Sequence, residues 1–465
     1  MKSPVFFSNI TKRYHFILRS VFVFIPLLIF ISCNSGTPST RLTFAKDVAP
    51  IIYRTCSSCH RPGSAGPFDL LTYDDVYRHL KTISLTVRSG IMPPWPADPA
   101  YRHFRSEKVL TENEKKIILD WIDQGAEDGA RSETPATPVF PDESFLGKPD
   151  LILSFPKPFF IEGNNQDHFM MMKLPYTLPK DTFLRLVEIV PGNRKLVHHI
   201  NAHLIQYERG AKKNVRNDEF VVNTEKVDKR QAYEKLNLAN DDGTYPLLTP
   251  SVTNYLPGVE PVRYPEGIGG YRIKKEGVLL LDNIHYGPSA VDTSDDTKFN
   301  FFFSPVPPSR PARDFILGTS GVSPVIPPLV IPPDSIKTFR SQYLVPENIS
   351  LLTVNPHMHL LGKSFLAYAL KSGGDTIRII RIPKWDFRWQ YFYTFENPLE
   401  IPAGSLICIE GVYDNTSANP LNPFSPPRTV SEREGSMRTT DEMFQLIVTY
   451  IPYQTGDEKI NLGAK

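Results

Sequence analysis

The run Phe183-Leu184-Arg185-Leu186-Val187-Glu188-Ile189 indicates the fold of most of this chain. It alternates apolar side chains with charged ones, and the runs at 278–284 and 446–448 are similar. Clusters of proline or glycine bound these runs, which is typical of short strands separated by turns. From about residue 151 onward the sequence therefore predicts an all-β region of the sandwich type.

Two proline-rich stretches divide the chain into modules. Residues 305–333 are dense in proline and split the β region into two halves, while residues 132–149 combine proline with polar side chains and predict a linker. The predicted organisation is a helical domain at 42–131, the linker, a first β domain at 150–305 and a second at 306–455.

The composition is that of a folded globular protein, with 41% hydrophobic and 22% charged residues. The formal net charge of +2 includes four basic residues and no acidic one in the first 32 positions, so the remaining 48 basic groups stand against 50 acidic ones. A nearly neutral chain without a long block of lysine or arginine offers no electrostatic basis for binding nucleic acid. We therefore expect no nucleic-acid partner.

The first 32 residues have the pattern of an export signal. Basic residues precede an apolar run at 21–31, which is too short to cross a membrane because a spanning helix needs roughly 20 residues. Cys33 follows this run and begins a polar tether at 33–41, an order that resembles the bacterial lipoprotein cleavage box with Phe30 in place of the usual leucine. The prediction is an exported bacterial lipoprotein, periplasmic or at the outer membrane, that contacts the membrane only through a lipid anchor on Cys33. An ordinary signal peptide with an incidental cysteine is the alternative.

Residues 42–131 carry helical patterns. Apolar side chains recur at helical spacing over 44–52. Thr111 and Glu114 form a capping box ahead of an apolar stripe, and Gly125 lies where that helix should stop. The sequence predicts a small all-α domain here.

The motif Cys56-Ser-Ser-Cys59-His60 follows the first predicted helix. Two cysteines three apart can both reach the vinyl groups of a haem from one turn of chain, and the adjoining histidine then falls under the iron. A zinc or redox CxxC site is the alternative, but the only other cysteines are Cys33 and Cys408, so no second pair exists. The motif predicts one covalent haem c, bound by Cys56 and Cys59 with His60 as an axial ligand, in a cytochrome c domain.

Met92 is the preferred second axial ligand. It lies in Ile91-Met92-Pro93-Pro94-Trp95, where consecutive prolines stiffen the loop and can hold a thioether in place. A thioether ligand raises the iron potential, which suits an electron relay. His79 and His103 are the competing ligands.

Five of the seven histidines in the β region fall in three short motifs. The motifs are Val197-His198-His199-Ile200, Asn283-Ile284-His285-Tyr286-Gly287 and Pro356-His357-Met358-His359-Leu360-Leu361-Gly362. His357 and His359 are two apart, so on a strand they project from one face and can bind one metal ion. One added thioether gives a His₂Met set, which suits copper because imidazole serves both oxidation states and sulfur favours Cu(I).

His198 and His199 are adjacent, so on a regular strand they point to opposite faces. Joint binding of one metal requires a bulge or a strand end at this point. Without a bulge, His199 with His203 is the alternative pair.

The β region resembles the copper type II, ascorbate-dependent monooxygenases, the family of peptidylglycine α-hydroxylating and dopamine β-monooxygenases. The resemblance covers about residues 151–452. It rests on the three histidine motifs together with Tyr413-Asp414-Asn415-Thr416 and Asp441-Glu442-Met443, which occur in the family's order.

This resemblance implies two jelly-roll-like domains with one copper each. The implied ligands of the first, electron-storing copper are His198, His199 and His285. The implied ligands of the second, oxygen-activating copper, and hence the catalytic residues, are His357, His359 and Met443. The predicted fold class is thus multidomain, with a small all-α cytochrome c domain followed by two all-β jelly-roll-like sandwiches.

The sequence departs from the family in three respects. The disulfides of the animal enzymes cannot form, because too few cysteines are present. Asn355 stands where the peptide-amidating enzymes carry an arginine for the substrate carboxylate, so peptide amidation is not supported. Met437 lies near Met443 and is an alternative copper ligand.

The expected function is hydroxylation of a C–H bond in a small-molecule substrate with O₂. The fused haem would supply the electrons in the role that soluble ascorbate plays in the resembling enzymes, after reduction by a redox partner or a quinol-linked donor. A non-catalytic haem and copper electron carrier is one alternative, and an adhesion or ligand-binding module without metal is another. Trp385, Phe387, Trp389 and Tyr391 alternate as on a strand, for which core packing is the preferred interpretation.

Overall fold

The computed structural model describes residues 41–141, 144–259, 261–433 and 438–463, in which strands predominate. The predicted signal sequence, Cys33 and nearly all of the tether lie outside the described residues, as does Met437. Within the described ranges, no helix combines the length and the hydrophobicity that crossing a bilayer requires.

Most of the helices lie near the start of the described chain. They are a π-helix at Phe44–Val48, α1 at Ala49–Thr55, α2 at Tyr73–Arg78, α3 at Leu80–Arg88, α4 at Glu112–Asp123 and a 3-10 helix at Arg131–Glu133. The predicted capping box at the start of α4 is confirmed, since Thr111 Oγ1 accepts from Glu114 N at 3.2 Å and the carboxylate accepts from Thr111 N. Gly125 follows α4 with a φ of +99°, which ends the helix as expected.

Strands of the first sandwich form a four-stranded sheet, a five-stranded sheet and a two-stranded ribbon. They are β1 Leu151–Ser154, β2 Phe159–Ile161, β3 His168–Thr177, β4 Thr182–Val190, β5 Val197–Gln206, β6 Val221–Asn223, β7 Leu247–Tyr255, β8 Tyr271–Ile273, β9 Glu276–Tyr286, β10 Thr293–Asp295 and β11 Lys298–Ser304. The sheet orders are β1-β11-β4-β8, β6-β3-β9-β5-β7 and β10-β2. Leu184 and Phe301 from the first sheet pack with Leu174 and Leu281 from the second in one buried core.

The second sandwich repeats this plan with two four-stranded sheets. Its strands are β12 Arg313–Gly318, β13 Val330–Ile331, β14 Ser335–Leu344, β15 Ile349–Met358, β16 Gly362–Leu370, β17 Thr376–Ile382, β18 Tyr393–Ile401, β19 Leu406–Asn415, β20 Val430–Ser431 and β21 Phe444–Pro452. The sheet orders are β12-β21-β15-β18, β14-β19-β16-β17 and β13-β20. A 3-10 helix at Asp457–Lys459 follows.

The three runs that predict strands in the sequence are confirmed, because they lie in β4, β9 and β21. In β4 the side chain of Arg185 is exposed while Leu184 and Leu186 are buried, as the alternation requires; Glu188, the other charged residue of the run, is buried.

The segment 208–242, which the sequence marks only as a charged and poorly periodic insertion, has a small core of its own. It contains β6 and the helix α5 at Lys229–Lys235, and Val222, Ala232 and Leu236 pack against the outer face of the first sandwich. The buried Lys173 anchors it by donating to Asn217 O at 2.5 Å and Leu236 O at 2.6 Å.

The segment between α3 and α4 packs into the second sandwich. Ala97 and Phe104 belong to that sandwich's buried core. Arg105 N donates to Thr394 O at 2.8 Å, and Tyr391 Oη donates to Pro94 O at 2.8 Å. The helical region is therefore held against the β region by buried contacts as well as by the linker.

Candidate functional site

The CxxCH motif forms a tight turn directly after α1. Backbone hydrogen bonds from Cys59 N and His60 N to Cys56 O, at 3.1 and 3.0 Å, close the turn. His60 Nδ1 lies 2.9 Å from Phe68 O, an acceptor that places the ring proton on Nδ1. The lone pair is then on Nε2, which is the arrangement that a metal-binding histidine requires.

A cavity of about 390 Å³ lies beside this turn. Cys56, Cys59, His60 and Met92 all line it, together with apolar side chains from α1, α3 and α4. Its volume and apolar walls are those of a small-molecule or cofactor site. Burial raises the pKa of the Cys56 thiol to about 11 and lowers the pKa of His60.

The two histidines that compete with Met92 are engaged elsewhere. The ring of His79 stacks on Phe68 with 3.8 Å between ring centroids. His103 lies at the surface, where its Nδ1 is 2.9 Å from Glu107 Oε1. Among these three predicted axial ligands, Met92 is the one that lines the cavity with the cysteines.

The β region approaches the motif closely. Lys108 Nζ donates to Ser58 Oγ at 3.1 Å and to Gly258 O. Gly258 has a φ of +73°, and a Cβ at this position would come within 2.3 Å of Cys59 Sγ. The glycine is therefore required both by the backbone and by the close approach of the chain to the cysteine.

The three histidines predicted for the first metal come together on neighbouring strands. The β5–β9 register shifts between Val197 and His199, so His198 is the extra residue of a bulge and both adjacent histidines can face one region. His199 pairs directly with His285, and the ring centroids of His198 and His199 lie 4.7 and 5.1 Å from that of His285. These three residues form the first cluster.

Asp167 holds the third member of the first cluster. Its Oδ1 lies 2.7 Å from His285 Nε2, and this hydrogen bond is the main reason that the pKa of Asp167 is lowered. The alternative partner His203 lies near Asp282 instead, 3.3 Å from its Oδ2. Within the described ranges, no group of three or more histidine, cysteine, aspartate or glutamate side chains is arranged so that it could hold a metal ion, the first cluster included.

The second predicted pair, His357 and His359, lies at the end of β15. Their Nε2 atoms are 3.2 Å apart. The Nδ1 of His357 faces Gln390 Oε1, and the Nδ1 of His359 lies 2.9 Å from Asp441 O. Because Gln390 Nε2 donates to Phe387 O at 2.8 Å, its oxygen is the atom that faces His357.

These contacts decide where the protons of the pair reside. Both Nδ1 atoms face oxygen acceptors, so both Nε2 atoms carry lone pairs that point toward each other. Burial, followed by the charge of the neighbouring ring, lowers the pKa of His357 to about 3, so the pair does not readily take up a proton. A separation of 3.2 Å suits two nitrogens bound to one ion at roughly 2.0 Å with a near-tetrahedral angle.

The carboxylate of Glu442 organises the loop that carries Met443. It is buried and accepts from the backbone N–H groups of His359 at 3.0 Å, Leu361 at 2.7 Å and Met443 at 3.3 Å. Met443 directly precedes β21, whose first residue, Phe444, pairs with Met358 of β15. The loop is thus tied to His359, and Met443 directly precedes the last residue pair of the β15–β21 register.

The two clusters are within electrostatic reach of each other. Burial lowers the pKa of His199 well below its usual value, and the imidazoles of both clusters lower it further, those of His357 and His359 included. The second pair therefore lies near enough to His199 for its charge to affect that ring.

The expectation that the aromatic residues at 385–391 form a strand is wrong. They lie in the connection between β17 and β18, where Trp389 N donates to Asp386 O at 3.0 Å in a turn. Pro383 at its start cannot donate to a sheet, which explains why the strand ends. Trp385 is buried in the core, as the preferred interpretation holds, whereas Trp389 lines the cavity beside the CxxCH turn.

Sequence reasoning did not find Gln390 or Asp167, although both contact predicted metal ligands. Neither lies in a histidine motif, and no periodic pattern connects Gln390 to His357. Glu442 lies in one of the motifs singled out in the sequence, but the motif did not indicate that its side chain accepts from three backbone N–H groups.

No protein-family model and no curated protein matches this chain. Among the solved structures that resemble it are the structure of infectious bursal disease virus Gx strain and the crystal structure of the infectious bursal disease virus VP2 subviral particle. Both are 9% identical, with TM-scores of 0.15 and 0.16, over 70% and 69% of this chain and 77% and 76% of those chains. Likeness at such TM-scores carries no argument about fold or function.

Proposed function

We propose that this chain is an exported copper-dependent monooxygenase that hydroxylates a C–H bond of a small molecule with O₂ and receives its electrons through a covalent c-type haem. The observation that carries the proposal is the pair formed by the partly buried His357 and the buried His359. Their Nε2 atoms face each other at 3.2 Å while both Nδ1 atoms face oxygen acceptors. Such a pair has the form of a site preorganised for a cation.

The residues of the cavity fit a haem. Cys56 and Cys59 would hold it by two thioethers, and His60 and Met92 would bind its iron. When bound, this group accepts and releases single electrons at a potential that its protein ligands set. The hydrogen bond from His60 Nδ1 to Phe68 O orients the ring, and the carbonyl makes Nε2 a stronger electron-pair donor to a metal ion.

The histidine clusters fit copper in their donor types. His357, His359 and Met443 would hold one ion, and His198, His199 and His285 would hold the other. Bound copper supplies one-electron redox chemistry and the activation of O₂. Gln390 and Asp441 keep the protons of the second pair on Nδ1, and Glu442 fixes the loop that presents the thioether.

The proposal includes the finer expectations from the sequence. The helical region would be a cytochrome c domain, the two sandwiches would be jelly-roll-like, and the chain would be a lipoprotein anchored through Cys33. Hydroxylation with O₂ takes up two electrons and two protons and releases water, so the reaction needs an external donor such as a redox partner or a quinol-linked enzyme. Neutral, buried imidazoles at both clusters suit metal binding at neutral pH.

The test measures how fast the haem gives up its electrons to O₂. The copper-loaded protein is reduced with dithionite without O₂, freed of excess reductant and mixed with O₂. We expect the haem of the native chain to reoxidise faster than that of a His357→Ala, His359→Ala double variant. The control His103→Ala alters an exposed histidine and should match the native rate. Equal rates in the native chain and the double variant would contradict the proposal.

One observation favours a second candidate function, a non-catalytic electron carrier. His359 is 2% exposed, and a pair closed off from substrate would serve only to relay electrons. Oxygen uptake during a screen of small molecules separates the two functions, since only the monooxygenase consumes O₂ in step with product. Metal analysis of protein matured in the periplasm separates both functions from a binding module without copper. Either function predicts two coppers and one haem iron per chain, whereas the binding module predicts no copper.

A further inference from the structure

The cavity beside the CxxCH motif is closed by both sandwiches as well as by the helices. Lys195, His198 and Pro257 contribute from the first sandwich, and Arg388 and Trp389 contribute from the connection between β17 and β18. A haem held there would thus lie against His198 of the first cluster and against Trp389. Trp389 directly precedes Gln390, the hydrogen-bond partner of His357 Nδ1.

The position of this cavity relative to the clusters is set by direct contacts. Lys108 joins the CxxCH turn to Gly258, and the ring of Trp95 packs against Tyr391 and Tyr393 with centroid distances of 5.2 and 5.3 Å. Because these contacts are made by the residues that flank the cavity, its distance from each cluster does not depend on the linker.

Residues 387–390 lie between the cavity and the second pair. Trp389 lines the cavity and stacks on Tyr391, with an interplanar angle of 11°. The next residue, Gln390, is hydrogen-bonded through Oε1 to His357 Nδ1. On the other side of the turn, the ring of Phe387 lies 5.7 Å from that of His359.

We propose that residues 387–390 conduct electrons directly from the haem to the His357–His359 pair, so that this pair is reduced without passage through the first cluster. The inference rests on the proposed function. In each transfer the haem iron is oxidised from ferrous to ferric and one cupric ion at the pair is reduced to cuprous; no bond forms or breaks, and no proton moves.

The direct route from the cavity to the second pair crosses few bonds. From the ring of Trp389 it continues through one peptide unit to Gln390 and then through a single hydrogen bond to His357. The other route enters at His198 on β5 and must then cross from the first sandwich to β15 of the second. The two routes make the clusters independent electron acceptors of one haem.

The experiment isolates the second pair. A His198→Ala, His199→Ala background removes two ligands of the first cluster, and the copper-loaded chain is kept without O₂. A photochemical reductant injects one electron into the haem, and haem absorbance then reports the transfer to copper, while the copper EPR signal reports which ion is reduced. Copper content and the haem spectrum are recorded for every variant.

In this background we expect the haem to pass its electron to the second pair as fast as it does in the native chain. Gln390→Leu, which removes the hydrogen bond to His357, and Trp389→Leu, which removes the ring, should each slow that transfer by roughly tenfold, equivalent to about 1.4 kcal/mol of barrier. Trp385→Phe, at a buried core position of the same connection, is the matched control and should leave the rate unchanged. Trp389→Phe should restore most of the rate because it keeps an aromatic ring.

The outcomes are distinct. A haem that stays reduced in the background chain, although copper occupies the second pair, would show that electrons pass through the first cluster and would overturn the inference. Unchanged rates in both Gln390→Leu and Trp389→Leu would overturn it as well. If Gln390→Leu loses copper, Trp389→Leu decides alone, because its side chain makes no hydrogen bond to His357. Failure of the native chain to bind copper at all would instead remove the proposed function.

Discussion

Replacement of Glu442 by glutamine tests how the second pair is held in place. The carboxyl group accepts three backbone N–H groups, two at Oε2 from His359 and Met443 and one at Oε1 from Leu361. The oxygen that carries the proton at mildly acidic pH still has a lone pair with which to accept. An amide offers one oxygen, so at best two of the three donors keep an acceptor. A buried N–H group without an acceptor costs about 1–3 kcal/mol, and we expect Glu442→Gln to destabilise the chain by that amount at mildly acidic pH.

The cost should depend on pH in a defined direction. Burial raises the pKa of Glu442 from 4.5 to about 8, against the opposing effect of the three N–H groups. A folded-state pKa above the unfolded one gives stability that is complete below pH 4.5 and is lost as the pH rises through about 8. The full shift is on the order of 5 kcal/mol, or about 1.4 kcal/mol per pH unit. Because this shift exceeds the cost of the lost acceptor, the native chain should be more stable than Glu442→Gln at pH 5 and less stable than it above pH 8. Between these values the difference should change at about that rate.

The assay is urea denaturation of the chain as purified, without added copper, at several pH values between 5 and 9. The difference in unfolding free energy between native and variant chains is plotted against pH, so that groups common to both cancel. Glu396→Gln alters an exposed carboxylate of β18 and should give a difference that does not vary in this way. A constant difference for Glu442→Gln across the series would refute the reasoning.

Three further changes test other parts of the structure. Gly258→Ala adds a Cβ beside Cys59 Sγ at a positive φ, so thermal unfolding should show a loss of at least about 1–2 kcal/mol. Cys56→Ser with Cys59→Ser leaves no thioether, and a haem stain of the denatured chain on a gel should then be negative, whereas the native chain stays stained. Burial raises the pKa of Asp314 from 3.8 to about 7, so its contribution to stability is lost as the pH rises between those values; Asp314→Asn should flatten that part of the stability profile in denaturant titrations.

Local features of the chain could be predicted because they depend on residues near one another in sequence. The alternation at 183–189 places β4, the capping box at Thr111 begins α4, and the spacing of His357 and His359 puts both rings on one side of a strand end. The need for a bulge at His198 also follows from the two-residue period of a strand.

The aromatic residues at 385–391 mark the limit of such reasoning. Their spacing is the same in a strand and in an irregular connection, and only the packing of the helical region against β18 decides between the two. The same packing brings Trp389 to the cavity beside the CxxCH turn and Gln390 to His357.

What the sequence determines by itself is therefore the class of each element and which residue types meet in short motifs: strands, capped helices, a CxxCH turn and three histidine motifs. The tertiary structure alone decides that Asp167 holds His285 from more than one hundred positions away and that Glu442 binds the backbone beyond β15. It also decides that one cavity borders both sandwiches. Side-chain periodicity is set by bond geometry over a few residues, whereas these contacts arise when apolar faces distant in sequence are buried against one another.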